Sequence, residues 1–397
     1  MPQRPSTLFA VVLAAVTAIG PLSIHLFLPA LPHVKGSFGI SDGLAQFTFS
    51  ITLFTMAGMT LIYGALSDRY GRRPVLLTGL TLFLIGIAIA LAAPTIEWFI
   101  FGRLIQAIGA ACGLALARAI ARDAYGAEML VKALAYLTMA YTLGPMISPP
   151  LGGLLVDHFG WRSTFWLALG AGCLILTSAY LVLRETKPVA EPGAVRHGFL
   201  QGFAQLLRRP LFLALVLQSG FSSATFFGLA SATTFLMTNY LGRPAAEFGF
   251  YFLLFAGGYC AGNWVSSRLS GKVSMEAMVL GGSIMLAGVV VAMVIVFSLG
   301  IIVPLSFFLP GCLISFSQGL ALPNAQAGAI RVVPGLAGTA AGIGVFLQMF
   351  GGGTFSQLYG LVSDGTPRPM LIIVSIAASM TLLFGVLAFR LSRAARP

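Results

Sequence analysis

Apolar stretches of about twenty residues alternate with short polar breaks along the whole chain. A helix needs roughly 20 apolar residues to cross a bilayer core of about 30 Å. Stretches of that length occupy residues 7–30, 45–66, 74–93, 97–120, 130–156, 162–183, 211–239, 246–269, 276–299, 301–326, 336–362 and 369–391. They are continuous and do not alternate every second residue, so they predict helices rather than the strands of a membrane barrel. The expected fold is an all-α membrane protein with twelve transmembrane helices. The first stretch follows Arg4 in the manner of a signal peptide, but it runs on through Leu28, which predicts an uncleaved first span.

The break at 184–209 is longer and more polar than the others, with Lys187, Pro188, Glu191, Pro192, Gly193, Arg196 and His197. It predicts a cytoplasmic linker between two pseudo-symmetric six-helix bundles, residues 1–183 and 210–397. The halves echo each other at a shared offset. Gly153 to Asp157 (GLLVD) with Arg162 matches Gly360 to Asp364 (GLVSD) with Arg368, and Ala117 to Ile120 matches Ala327 to Ile330. Such echoes are expected of parallel repeats related by an axis along the membrane normal.

Composition agrees with a lipid-facing surface. Of 397 residues, 58% are hydrophobic and 9% charged, against about 25% charged in soluble domains. The net charge of +12 would suit nucleic acid binding, but the cations are placed for topology. With the N-terminus in the cytoplasm, the inner side holds Arg4, Arg69, Arg72, Arg73, Arg118, Arg122, Lys132, Arg184, Lys187, Arg196, Arg208, Arg209, Arg268, Lys272, Arg331, Arg390, Arg393 and Arg396. The outer side holds only Lys35, Arg162, Arg243 and Arg368. This positive-inside bias predicts a multi-pass protein of a bacterial-type inner membrane with both termini cytoplasmic, and makes a nucleic acid partner unnecessary. The four cysteines lie singly within spans and read as packing residues. The four histidines have no metal-ligand spacing, and no phosphate-binding Walker loop or nucleophile elbow occurs. No metal, cofactor, ATP-driven pump or enzyme is therefore expected.

Three motifs stand out. The string GALSDRYGRRP, Gly64 to Pro74, sets Asp68 among Arg69, Arg72 and Arg73 between the second and third spans, with Gly64 and Gly71 suited to a tight turn and close helix approach. The fifth span carries Gly144, Pro145, Pro149, Pro150, Gly152 and Gly153, a pattern that kinks a helix and admits a close neighbour. The fourth span carries RLIQAIG, Arg103 to Gly109. The first string resembles the loop signature of the major facilitator superfamily. That resemblance implies a conformational latch of Gly64, Asp68, Arg69, Gly71, Arg72 and Arg73 with Arg118, Arg122 and Asp123. The latch holds the two halves together in one state and breaks during transport. The second half has only a degenerate counterpart, Ser266 and Arg268 with Lys272. The fifth-span pattern is similar to the superfamily's antiporter motif. The strings LPALP at Leu28, RAIARD at Arg118 and LPNAQAG at Leu322 are similar to the drug:proton antiporter branch that includes bicyclomycin and chloramphenicol resistance exporters.

All eleven acids fall in loops or at span ends, a departure from that branch, whose first span carries an Asp where this chain has His25. Two readings fit His25: a titrating group that couples protons, or a neutral ring hydrogen-bonded within the bundle. Arg103 either faces the central cavity or snorkels outward; in the cavity it would favour neutral or anionic amphipathic substrates over cationic ones. Family geometry adds Phe27, Gln106, Gln218, Ser222, Thr225, Phe226, Ser315 and Gln318 as candidate cavity residues, with interhelical polar packing as the other reading. Proton-coupled multidrug or antibiotic efflux is the expected function, carried out by a monomer. A passive facilitator or a metabolite exporter without proton coupling is the alternative.

Overall fold

The computed structural model describes residues 6–125, 127–187 and 199–394 and is all-α. The first half comprises α1 (Thr7–His25), α2 (Leu31–Phe38), α3 (Asp42–Tyr70), α4 (Arg72–Ala92), α5 (Ile96–Ala110), α6 (Cys112–Ala124), α7 (Ala127–Phe159) and α8 (Arg162–Val182). After the short α9 (Phe199–Leu207) come α10 (Pro210–Phe235), α11 (Ala245–Leu269), α12 (Met275–Ser298), α13 (Pro304–Val332), α14 (Ala337–Val362) and α15 (Arg368–Ala394). Of the expected linker, residues 188–198 lie outside the described residues.

Every predicted stretch falls on a helix or a pair of nearly continuous helices. The largest departure is at the first, expected to end at residue 30. Its chain tightens into a 3-10 turn at Leu28–Ala30 and continues as α2 to Phe38. Pro29 and Pro32 do not end it, because each opens a new helical turn where a missing N–H costs nothing. Polar caps fix several helix starts: Ser6, Ser41 and Ser274 accept from the backbone N–H groups of Phe9, Leu44 and Ala277.

Two helix bundles result, α1 to α8 and α10 to α15, and they meet where α3 packs on α14 and α7 on α11. Within the first, α4 and α5 cross so closely that a methyl group on Gly86 or Gly109 would collide with the other helix's backbone, the small-residue packing expected where lipid provides no hydrophobic drive between helices. Nine helical stretches among the described residues are long and apolar enough to cross a membrane. The remaining long helices, α7, α11 and α14, dilute their apolar residues with glycine, proline and polar groups, and each forms part of the contact between bundles.

Candidate functional site

A cavity of about 760 Å³ opens between the bundles at the end that carries the arginines. Its apex is apolar and small, with Gly20, Met56, Ala110, Ala111 and Met349, and α14 contributes Gly338, Thr339 and Gly342 as the opposite wall. Its mouth carries Asp68, Arg72, Arg118 and Arg122.

The mouth is organised by a sharp reversal between α3 and α4. Gly71 takes φ 102°, a backbone region that side chains disfavour. The reversal turns Arg72 inward, where its guanidinium meets Asp68 at 2.6 Å, Asp123 at 2.8 Å and the Ser67 hydroxyl at 2.6 Å. Asp123 is 4% exposed and also lies 3.5 Å from Arg122. These pairs all stay within the N-terminal bundle. Arg73 donates to the Leu183 and Tyr180 carbonyls at the end of α8, and Lys187 donates to the Arg69 carbonyl. Gly64 lines the cavity with no atom within 4 Å of where a methyl would sit, so the close approach expected there is absent and only Gly71 needs its lack of a side chain.

Glu185, which the sequence analysis did not single out, completes this end. Its carboxylate accepts from the backbone N–H groups of Arg72 at 2.9 Å and Arg73 at 3.1 Å, capping α4 from 112 residues away in sequence. Burial alone would raise its pKa, but the N–H donors of Lys187, Arg72, Arg73 and Thr186 outweigh that and hold it below the ordinary value.

The opposite end is closed by contacts from one bundle to the other. Asp157, at the end of α7, accepts from the backbone N–H groups of Ala245 at 3.0 Å and Ala246 at 2.7 Å. It thereby supplies α11 with the cap that its own Pro244 cannot provide. Methyl groups on Gly153 and Gly249 would strike the Ala245 and Pro149 carbonyls, so the fifth-span motif is the surface on which α11 rides. Gly144 and Gly152 of the same motif press instead on Pro21 and the Leu26 carbonyl of the N-terminal bundle, and Pro145 lies inside α7 with Pro149 and Pro150. Between α3 and α14, Ser50 donates to Gln357 at 2.6 Å, Gln357 donates to the Gly43 carbonyl at 3.0 Å, and Ser363 donates to Asp42 at 3.0 Å. The repeat partner of Asp157 behaves differently: Asp364 accepts from the Thr366 backbone and hydroxyl in its own loop.

The expected cavity residues are elsewhere than on this cavity's wall. Arg103 is fully enclosed in the N-terminal bundle, donating to Gln106 at 2.7 Å and to the Thr48 and Ser23 carbonyls, with its guanidinium 4.2 Å from the centre of the Phe27 ring. Gln218 donates to Ser283 of α12, Gln318 of α13 donates to the Ser222 carbonyl of α10, and Thr225 donates back to Phe221. Ser222 and Ser315 are buried, with hydroxyls that lack partners among the described residues. Phe226 packs on Phe252 and Phe255. His25 sits where the bundles meet, 6% exposed, against Phe227 and Phe252 of the C-terminal bundle, with Nδ1 lacking a hydrogen-bond partner among the described residues.

Two facing helix bundles with a cavity open at one end are the architecture of a carrier that exposes its site alternately to the two sides of a membrane. Residues 13–356 match the Major Facilitator Superfamily profile, and the chain belongs to that family. It is 26% identical to multidrug resistance protein D of Escherichia coli (strain K12) across 100% of both chains. Identity to a bicyclomycin resistance protein homolog of Haemophilus influenzae (strain Rd) is 23% over 96% of both. In fold it is similar to a bacterial homolog of the human lysosomal transporter Spinster in an inward-facing, unoccupied conformation, with a TM-score of 0.75, 16% identity and coverage of 96% of this chain and 97% of that one. A D-xylose-proton symporter superposes with a TM-score of 0.74 at 14% identity, covering 97% of this chain and 98% of that one. The protein is a multi-pass membrane transporter, not an enzyme, and moves small solutes by alternating access.

Proposed function

We propose that this transporter is an inner-membrane exporter of small amphipathic drugs or antibiotics, neutral or anionic rather than cationic, driven by proton antiport. In this reading twelve helices cross the membrane in two six-helix bundles, residues 1–183 and 210–397, with 184–209 as linker and both termini cytoplasmic. The chain works as a monomer. The observation that carries the reading is the cavity itself, open at the arginine-bearing end and sealed at the other by Asp157, Gln357 and the α7–α11 crossing. The positive-inside pattern makes the open end cytoplasmic, which is the loading state of an exporter. The names of the two relatives, a multidrug and a bicyclomycin resistance protein, favour drug efflux.

The cluster of Asp68, Arg72 and Asp123, with Arg69, Arg73, Arg118 and Arg122 around it, acts as the latch that closes the cytoplasmic mouth in the opposite state. His25 is the coupling group: its position between the bundles and its free Nδ1 let protonation bear on how they separate. Gln218, Ser222, Thr225, Ser315 and Gln318 join the substrate path, with Phe27, Phe226, Arg103 and Gln106, when the bundles rock.

Proteoliposomes with an imposed pH gradient test this with chloramphenicol as probe. The wild type should concentrate it, and His25→Ala should still equilibrate it but not accumulate it. A His25→Ala variant that accumulates at the wild-type rate removes His25 from coupling. Wild-type vesicles that only equilibrate the probe establish the facilitator reading instead.

A further inference from the structure

The charges around the mouth do not balance evenly along its wall. Arg72 is met by both Asp68 and Asp123, and Asp123 also faces Arg122. Two acids and two bases therefore neutralise each other at the rim. Arg118 lines the same cavity and, among the described residues, takes part in none of these ion pairs. It lies one helical turn, about 6 Å, deeper than Arg122. Tyr141 of α7 lines the same cavity and brings a hydroxyl that can donate. Beyond Arg118 the wall becomes apolar, through Leu114 to Ala111, Gly20, Met56 and Met349. From Arg118 to Ala111 the helical rise is about 10 Å.

We infer that Arg118 is the anion-recognition group of this cavity, selecting amphipathic solutes with one carboxylate or similarly compact anionic group on an apolar body about 10 Å long. The inference deepens the exporter reading and rests on its assignment of this cavity to the substrate. A guanidinium offers five donors and no acceptor, so a carboxylate can take two parallel hydrogen bonds from it. Part of the cavity is walled by apolar side chains, where such a charge-assisted pair is stronger than in open water. The same residue repels an ammonium group at that depth. Arg103, sealed behind Phe27 and Gln106, cannot perform this selection in the present state. Arg118 also belongs to the proposed latch; that role acts on every substrate alike, whereas recognition discriminates by charge, so the two are separable by binding measurements.

The test uses the purified full-length protein in detergent and isothermal titration with three probes of one shape: 2-naphthoate, 2-naphthamide and 2-naphthylmethylammonium. The wild type should bind naphthoate about tenfold more tightly than naphthamide, a difference of about 1.4 kcal/mol, and the ammonium most weakly. Arg118→Gln should erase the preference while naphthamide affinity stays within about twofold, and Arg118→Lys should retain part of it. Equal binding of acid and amide by the wild type, no measurable naphthoate binding, or parallel loss of both probes in Arg118→Gln with the preference retained overturns the proposal. Binding is read without a gradient, so a protein that selects anions yet never accumulates substrate would refute proton coupling and leave Arg118 in place.

Discussion

At the closed end of the cavity one bundle holds the other's backbone, whereas at the open end the charged side chains of the N-terminal bundle hold each other. Asp157 caps α11, and Gln357 reaches the Gly43 carbonyl, both across the divide. Arg72, by contrast, spends its donors on Ser67, Asp68 and Asp123 of its own bundle. The two ends thus differ in what separation would expose. Opening the closed end frees a helix terminus and the carbonyls beneath two glycines, groups that water can solvate. Arg72 and Arg122 at the open end already have carboxylate partners and wait with little cost. The repeated sequence marks the same asymmetry, since Asp157 crosses to the other bundle and its counterpart Asp364 folds back on Thr366.

The severest way to break this comparison is steric. Gly249→Leu should drive α11 off the Pro149 carbonyl, an overpacking cost of about 1–3 kcal/mol. Transport should fall about tenfold or more, and a cysteine introduced at Ser50 should become reactive from the closed side; unchanged turnover with the cysteine still protected would show that the α7–α11 crossing does not seal the cavity. A milder change is Asp157→Asn, which keeps one acceptor for the start of α11 but removes the charge and the second acceptor. Losing charge-assisted hydrogen bonds costs about 1–2 kcal/mol, so spin-label distances across the closed end should show a larger open population than wild type. The matching substitution Asp364→Asn should leave those distances alone, and an equal response to both would end the asymmetry.

The smallest expected effect lies at the open end. Because the pKa of Glu185 is held below its ordinary value, its contribution is fully present above pH of about 4.5 and is lost as pH falls through the lowered value. Glu185→Gln should therefore speed hydrogen exchange at the Arg72 and Arg73 amides at neutral pH by an amount equivalent to a few tenths of a kcal/mol, since the group is exposed and screened. As pH falls through that lowered value the variant and wild type should converge. A mutational difference that does not shrink as pH falls would mean that the carboxylate charge is not what caps α4.

The spans were legible because hydropathy over twenty residues is local, and lipid demands it of every crossing helix. The charged string from Gly64 to Pro74 was legible for a similar reason: one acid and three bases in a short loop stay close in the chain however the helices pack. Glu185 escaped notice because its partners Arg72 and Arg73 lie 113 and 112 residues away, with nothing nearby in sequence to announce them. The stripe of Gln218, Ser222 and Thr225 was visible as a stripe, but the same spacing serves a cavity wall or a seam between helices. In this state the seam with α12 and α13 holds it.

The chain's own order of residues thus determined that it is a bundle of membrane helices, where its charges gather, and which loop carries the acid and bases. Tertiary structure alone decided that Arg103 is enclosed, that Arg118 faces the cavity, and that Asp157 rather than Asp364 spans the two halves. The reason is rotational. A membrane helix can be apolar on nearly every face, so its sequence does not say which side meets lipid, neighbour or water. That choice is made when glycines, prolines and caps on other helices fix how far it turns about its axis.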